Sequence, residues 1–207
     1  MLHQYLIDKF FPNTKSGTIV EVGAAKPDYL SQSKPFKDIG WRAICIEPNP
    51  EFAQMHRDAG NEIYEYAASS IDGDDIDFHI SINCQAESFS SLGVSTSLCV
   101  GSGYARVNSI QTSVVKVKVR KLDTILQESE VSQIDCLVID VEGWELDVLK
   151  GFNSEKYKPQ IIVLEVVGGQ KIEEEYTNYM KSIGYDFDSY DTTTGPNIVF
   201  YNKNYSN

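Results

Sequence analysis

The chain has 207 residues, 42% of them apolar and 23% charged, and its 30 acidic against 18 basic residues leave a net charge of −12. That length suits one α/β domain with a large core rather than two. The negative balance argues against a nucleic-acid partner, which needs clustered lysine and arginine. No apolar run approaches the roughly 18 residues that cross a bilayer, so no membrane span is expected.

Cys45, Cys84, Cys99 and Cys136 form no C-x-x-C pair and have no histidine at metal-finger spacing. Cys45 and Cys136 fall within apolar runs, where a thiol packs as a small core residue. The first 13 residues lack a basic region followed by a small-residue cleavage site. Free thiols and no secretory leader together predict a cytoplasmic protein.

Leu2, Tyr5, Leu6 and Phe10 recur at helical spacing and Pro12-Asn13 stops them, so residues 1–16 should hold a capping helix. Thr18 to Val22 is a first strand, apolar enough to be buried on both faces, with Glu21 needing a partner. A glycine turn at Gly23 follows, then a broken helical stretch from Asp28 to Gly40, with Ser33-Lys34-Pro35 as cap and first-turn proline. Trp41 to Ile46 is a second strand, Glu51 to Gly60 a helix, and Glu62 to Ala67 a third strand. Strand and helix alternate at the spacing of right-handed βαβ units, which implies a parallel sheet.

The pattern changes over residues 72–120. Phe78, Ile80 and Ile82 alternate with polar residues, as do Val115, Val117 and Val119 with Lys116, Lys118 and Arg120. These predict an inserted antiparallel pair. The Ser- and Gly-rich stretch between them, within 84–113, is the candidate lid or substrate-selecting loop. The basic strand face hints at an anionic substrate, although a solvated face explains it as well. The parallel pattern resumes with a helix from Leu122 to Ser129, a strand from Ile134 to Asp140, a helix after Gly143, a strand from Ile161 to Val167 and a helix from Ile172 to Ile183. An antiparallel pair, 185–190 and 197–201, closes the chain.

Four acids, Glu21, Glu47, Asp140 and Glu165, fall at or near the ends of strands that should lie parallel, where ligands of open α/β sheets bind. Glu47, ending the second strand, suits the two hydroxyls of a ribose; its alternative is an exposed acid capping the following helix. Ala67 and Ala68 would lie along the same edge. Gly23 would let a cofactor approach the backbone closely. The turn lacks G-x-G-x-x-G, so a pyrophosphate is poorly served. A cofactor with a ribose and an amino-acid tail fits better, and S-adenosylmethionine is such a molecule. Asp140 and Glu142 are the carboxylates placed to orient or deprotonate an acceptor hydroxyl. The same pair could hold a divalent cation, but no third ligand is evident, and no metal is assigned. His56 and His79 are expected to be solvated.

At these residues the chain resembles the FkbM-type methyltransferases. Val20-Glu21-Val22-Gly23-Ala24, Ser31-Gln32-Ser33, Ile46-Glu47-Pro48-Asn49-Pro50, Leu122-Asp123-Thr124-Ile125-Leu126 and Ile139-Asp140-Val141-Glu142-Gly143-Trp144-Glu145 carry the likeness. The resemblance implies a three-layer αβα Rossmann-like class I fold in one domain over 1–207. Its sheet would be seven-stranded and mostly parallel with one antiparallel strand, and a β insert would sit between strands 3 and 4. It implies S-adenosylmethionine as cofactor and O-methylation of a sugar or other small metabolite. By matching position Glu21, Gly23 and Glu47 would serve the cofactor, with Asp140 and Glu142 facing the reaction centre; Ala24, Ser31, Pro48, Asn49, Ala67, Ala68 and Asp140 are the further cofactor-binding candidates. Two positions depart from the family pattern: Lys26-Pro27-Asp28 stands where a glycine is common, and Val138 where a lysine is usual. A nicotinamide-dependent oxidoreductase and a non-catalytic binding protein of the same fold are the alternatives.

Overall fold

The computed structural model describes residues 1–81, 90–91, 112–166, 170–192 and 195–204. The helices are α1 (Leu2–Phe10), α2 (Lys34–Asp38), α3 (Pro50–Asp58), α4 (Leu122–Glu128), α5 (Glu145–Lys150), α6 (Ser154–Tyr157) and α7 (Gln170–Ser182). The strands are β1 (Thr18–Val22), β2 (Arg42–Ile46), β3 (Glu62–Tyr64), β4 (Ala67–Ser69), β5 (Gly73–Ser81), β6 (Ser90–Ser91), β7 (Thr112–Lys121), β8 (Cys136–Ile139), β9 (Ile161–Glu165), β10 (Tyr185–Asp191) and β11 (Asn197–Asn202).

Among the described residues the strands form two sheets. The larger runs β10-β11-β9-β8-β1-β2-β3, parallel from β9 through β3, with β11 antiparallel to both β9 and β10. The expected single reversed strand is therefore present, inserted between β9 and β10. Its strands alternate between two buried faces. Val20, Val22, Ile44, Ile46, Leu137, Ile139, Ile162 and Leu164 pack with Ile125 and Leu126 of α4, Val148 and Leu149 of α5, and Met180 of α7. Ile19, Cys136, Val138, Ile161 and Val163 pack on the other face with Leu2 and Leu6 of α1, Phe36 of α2 and Trp41. Burial on both faces is why these strands read as continuous apolar runs, and it gives the three layers.

The third strand departs from expectation. It is not one run to Ala67. The Tyr66 N–H folds back onto the Tyr64 carbonyl, a γ-turn geometry that breaks the ladder. Ala67 and Ala68 then join the second sheet, ordered β4-β7-β5-β6, where Ala67 pairs with Val119. They therefore pair outside the seven-stranded sheet to which the strand before Glu47 belongs. The two inserted strands pair antiparallel as expected, Phe78 opposite Val115 and Ile76 opposite Val117. Lys116 forms an ion pair with Asp77, and Arg120 with Asp74. Most of the candidate lid, and with it Cys84 and Cys99, lies outside the described residues. Cys45 and Cys136 are free and buried, and no described helix is long and apolar enough to cross a membrane.

Candidate active site

The chain turns sharply after β1 and is locked there. The N–H groups of Gly23 and Ala24 both donate to the Ile46 carbonyl, at 2.9 and 3.1 Å. Gly23 has φ +84°, and a Cβ on it would stand 1.8 Å from the Asp140 carbonyl oxygen. Only glycine fits. The end of β8 occupies the place where a Cβ would stand. The close approach brings the β1 turn and Asp140 together.

Glu47 is buried just beyond β2. One of its oxygens accepts from the Ala25 N–H (2.9 Å) and the other from the Asn49 N–H (2.8 Å). Its carboxyl is pushed up to about 7, chiefly by burial and despite the two amides. Asn49 in turn caps α3, its side chain accepting from the Glu51 N–H. Glu47 is thus neither an exposed cap nor a free carboxylate; it ties the β1 turn to the start of α3, with Pro48 in the link. Each oxygen retains a second lone pair for a hydroxyl donor.

Glu21 is more fully committed. It accepts from the N–H groups of Gln32 (2.6 Å) and Ser33 (3.1 Å) and from the hydroxyls of Ser31 and Ser33. Burial raises its pKa against those four hydrogen bonds. The partner that a buried acid in β1 required is therefore the 31–33 loop, and Ser31 is spent on the same bond.

His56, expected to be solvated, is buried. Its Nε2 bonds the Ala25 carbonyl at 3.1 Å and its Nδ1 lies 3.0 Å from the Asn61 amide. A ring donating at Nε2 and accepting at Nδ1 is neutral, and burial lowers its pKa. The α-helical spacing of Phe52 and His56, four residues apart, was the available signal. His79 is half-buried, and its Nδ1 has no hydrogen-bond partner among the described residues.

The β8–β9 end is built differently. Ile139 pairs with Leu164, so Asp140 and Glu165 leave their strands side by side. Their carboxyls hydrogen-bond each other. Glu142 follows at φ +57° and Gly143 at φ +98°. A left-handed residue other than glycine costs about 1–2 kcal/mol. Glu145 holds this turn: one oxygen accepts from the N–H groups of Val141 (3.2 Å) and Gly143 (3.0 Å), the other from the Tyr176 hydroxyl of α7.

The turn aims Glu142 at its neighbours, and Asp140, Glu142 and Glu165 each offer an oxygen within 4.8 Å of the other two. Burial, then the proximity of like charges, raises Glu142 and Glu165; burial also raises Asp140, while the Glu165 hydrogen bond opposes it. One oxygen of Glu142 and one of Glu165 are buried without a hydrogen-bond partner among the described residues.

Asp140 and Glu142 were expected to stand together. Glu165, the third member, was visible as a strand-end acid but was not assigned to the site. The expectation that no third acidic ligand is available is thereby corrected. An open groove of about 480 Å³ lies elsewhere, between residues 26–29 and the end of α3, and contains none of these acids.

The methyltransferase FkbM domain matches residues 21–187 of the chain. Among solved structures, the chain is similar to a methyltransferase FkbM from Methylobacillus flagellatus KT, at 15% identity and a TM-score of 0.57. The match covers 93% of this chain and 46% of that one, so the chain spans less than half the length of that relative. This likeness bears on the fold alone. No curated protein sequence matches the chain.

Proposed function

The chain belongs to the methyltransferase FkbM domain family, and on that premise we propose that it transfers a methyl group from S-adenosylmethionine to a hydroxyl of a sugar or other small metabolite. The observation that carries this reading is the division of labour along one sheet edge. The β1–β2 end is a hydrogen-bonded, acid-lined turn, while the β8–β9 end gathers three carboxyls, two of which keep an oxygen without a partner among the described residues.

The donor is a cation at its sulfonium and amino groups, and an edge lined by acids suits it. When bound it supplies an electrophilic methyl group and departs as a neutral thioether. Glu47 would hold the ribose through its remaining lone pairs, with Ala24, Pro48 and Asn49 shaping the turn beside it. Glu21, Ser31 and Gly23 would act one step back, fixing the loop and the backbone on which the donor rests. Ala67 and Ala68, which open the second sheet just beyond β3, would lie beside the donor.

At the other end Asp140 would accept the hydroxyl proton as the oxygen–carbon bond forms, and Glu142 would orient the hydroxyl. Positioning of this kind supplies roughly 7–11 kcal/mol of barrier reduction in favourable cases. The nicotinamide alternative gains nothing here, because the single glycine of the β1 turn is filled by the Asp140 carbonyl.

The reading is tested with methyl-labelled S-adenosylmethionine and a panel of sugars and small hydroxylated metabolites. Transfer of label to an acceptor, at least a hundredfold slower with Asp140→Asn, supports it. Donor binding that is unchanged by Glu47→Gln, with no label transferred, contradicts it.

A further inference from the structure

Glu142 is only 7% exposed, yet its Oε2 has no hydrogen-bond partner among the described residues. Glu165 carries a second buried oxygen in the same state. A carboxylate oxygen removed from water and given no donor is destabilising. Among the described residues, the charged groups that bear most on Glu142 are Asp140 and Glu145, and on Glu165 Asp140, Glu142 and Glu145. All are acids. Glu145 spends its own oxygens on two amides and a tyrosine, so it holds the turn rather than completing the cluster.

The three carboxyls arrive from separate pieces of backbone. Asp140 comes from the end of β8, Glu142 from a left-handed turn that Glu145 and Gly143 fix, and Glu165 from the end of β9. Ligands held this way form a cage before anything binds.

We propose that Asp140, Glu142 and Glu165 form a binding site for one divalent hard cation of the Mg²⁺ or Mn²⁺ class. An all-oxygen ligand set selects such ions over softer metals. Ligand oxygens on one ion, bound at about 2.0–2.6 Å, lie roughly 3–5 Å apart. The 4.8 Å envelope of these three falls in that range. Three protein ligands leave further coordination positions for water or a substrate oxygen. The site stands whether or not methyl transfer is the reaction; if it is, the ion would bind the acceptor oxygen and make its proton easier to remove.

The probe is Mn²⁺ alone, added to the whole chain without donor or acceptor, with free ion read by electron paramagnetic resonance. One Mn²⁺ per chain is expected, displaced by excess Mg²⁺. Glu165→Gln and Glu142→Gln should each weaken binding tenfold or more while circular dichroism and the melting temperature show a folded chain. Glu175→Gln, an exposed acid on α7, should leave binding unchanged. No saturable uptake by the wild-type chain, or uptake indifferent to both substitutions in the cluster, overturns the proposal. Because neither donor nor acceptor is present, failure here is separate from failure of the methyl-transfer reading.

Discussion

Glu21 and Glu47 at the β1–β2 end, and Asp140, Glu142 and Glu165 at the β8–β9 end, occupy equivalent kinds of position, acids at or just past the ends of buried parallel strands. Their surroundings differ. Loops fold back onto Glu21 and Glu47 and cover their oxygens with amides and hydroxyls. At the other end no amide of the described residues reaches the second oxygens of Glu142 and Glu165, and the acids lie close to one another. Glu21 is thereby committed to the fold and Glu47 keeps only its remaining lone pairs for a ligand, whereas Glu142 and Glu165 each keep a buried oxygen with no donor among the described residues. A strand-end acid becomes architecture or chemistry according to what the adjacent backbone donates to it.

The joint between the two ends is the most sensitive place to test this. Gly23→Ala would drive a Cβ into the Asp140 carbonyl and force a left-handed φ on an alanine. Overpacking and backbone strain together should cost about 2–5 kcal/mol, read as a shift in the urea midpoint, with donor binding lost as well. A wild-type midpoint in that variant would mean that the two ends are not coupled through this contact.

Glu21→Ala comes next. It strands the buried amides of Gln32 and Ser33 and should lower stability by about 2–4 kcal/mol in the same assay. Glu142→Gln sharpens the contrast by reversing the sign. Removing one of several mutually repelling carboxyls should leave the metal-free chain unchanged, or stabilise it by about 1 kcal/mol. Equal losses from both substitutions would erase the distinction between the two groups.

The smallest effect is a slope. Glu47 is raised from 4.5 to about 7 on folding, so between those values the folded chain binds more protons than the unfolded one. Its contribution to stability is complete below pH 4.5 and is lost as pH rises toward 7. Glu47→Gln should lower stability throughout, because an amide nitrogen then meets a backbone N–H, and should flatten that slope. Denaturation curves from pH 4.5 to 7.5 measure both.

Much of the fold was legible because burial on two faces writes itself as apolar runs, and helices of βαβ units carry their own stops. The third strand stops at Tyr64 rather than Ala67: a γ-turn between two short apolar pieces leaves no mark on periodicity. The site was legible to the extent that strand ends are. Asp140 and Glu142 were placed together, whereas Glu165 required the parallel register that sets Leu164 opposite Ile139. The roles of Glu21 and Ser31 are hidden for another reason. A hydrogen bond from a loop ten residues away depends on how that loop returns, and pattern does not encode the return. Gly23 shows the same limit, since its spacing announced a close approach without saying by what.

The most direct measurement is a crystal structure of the chain with S-adenosylhomocysteine, the product left by the donor. Its ribose is expected on Glu47 beside the β1 turn and its sulfur on the side of Asp140, with the carboxyl cluster still open to an acceptor. Adenosine at the opposite edge of the sheet, or an empty β1–β2 end at saturating ligand, would contradict that placement.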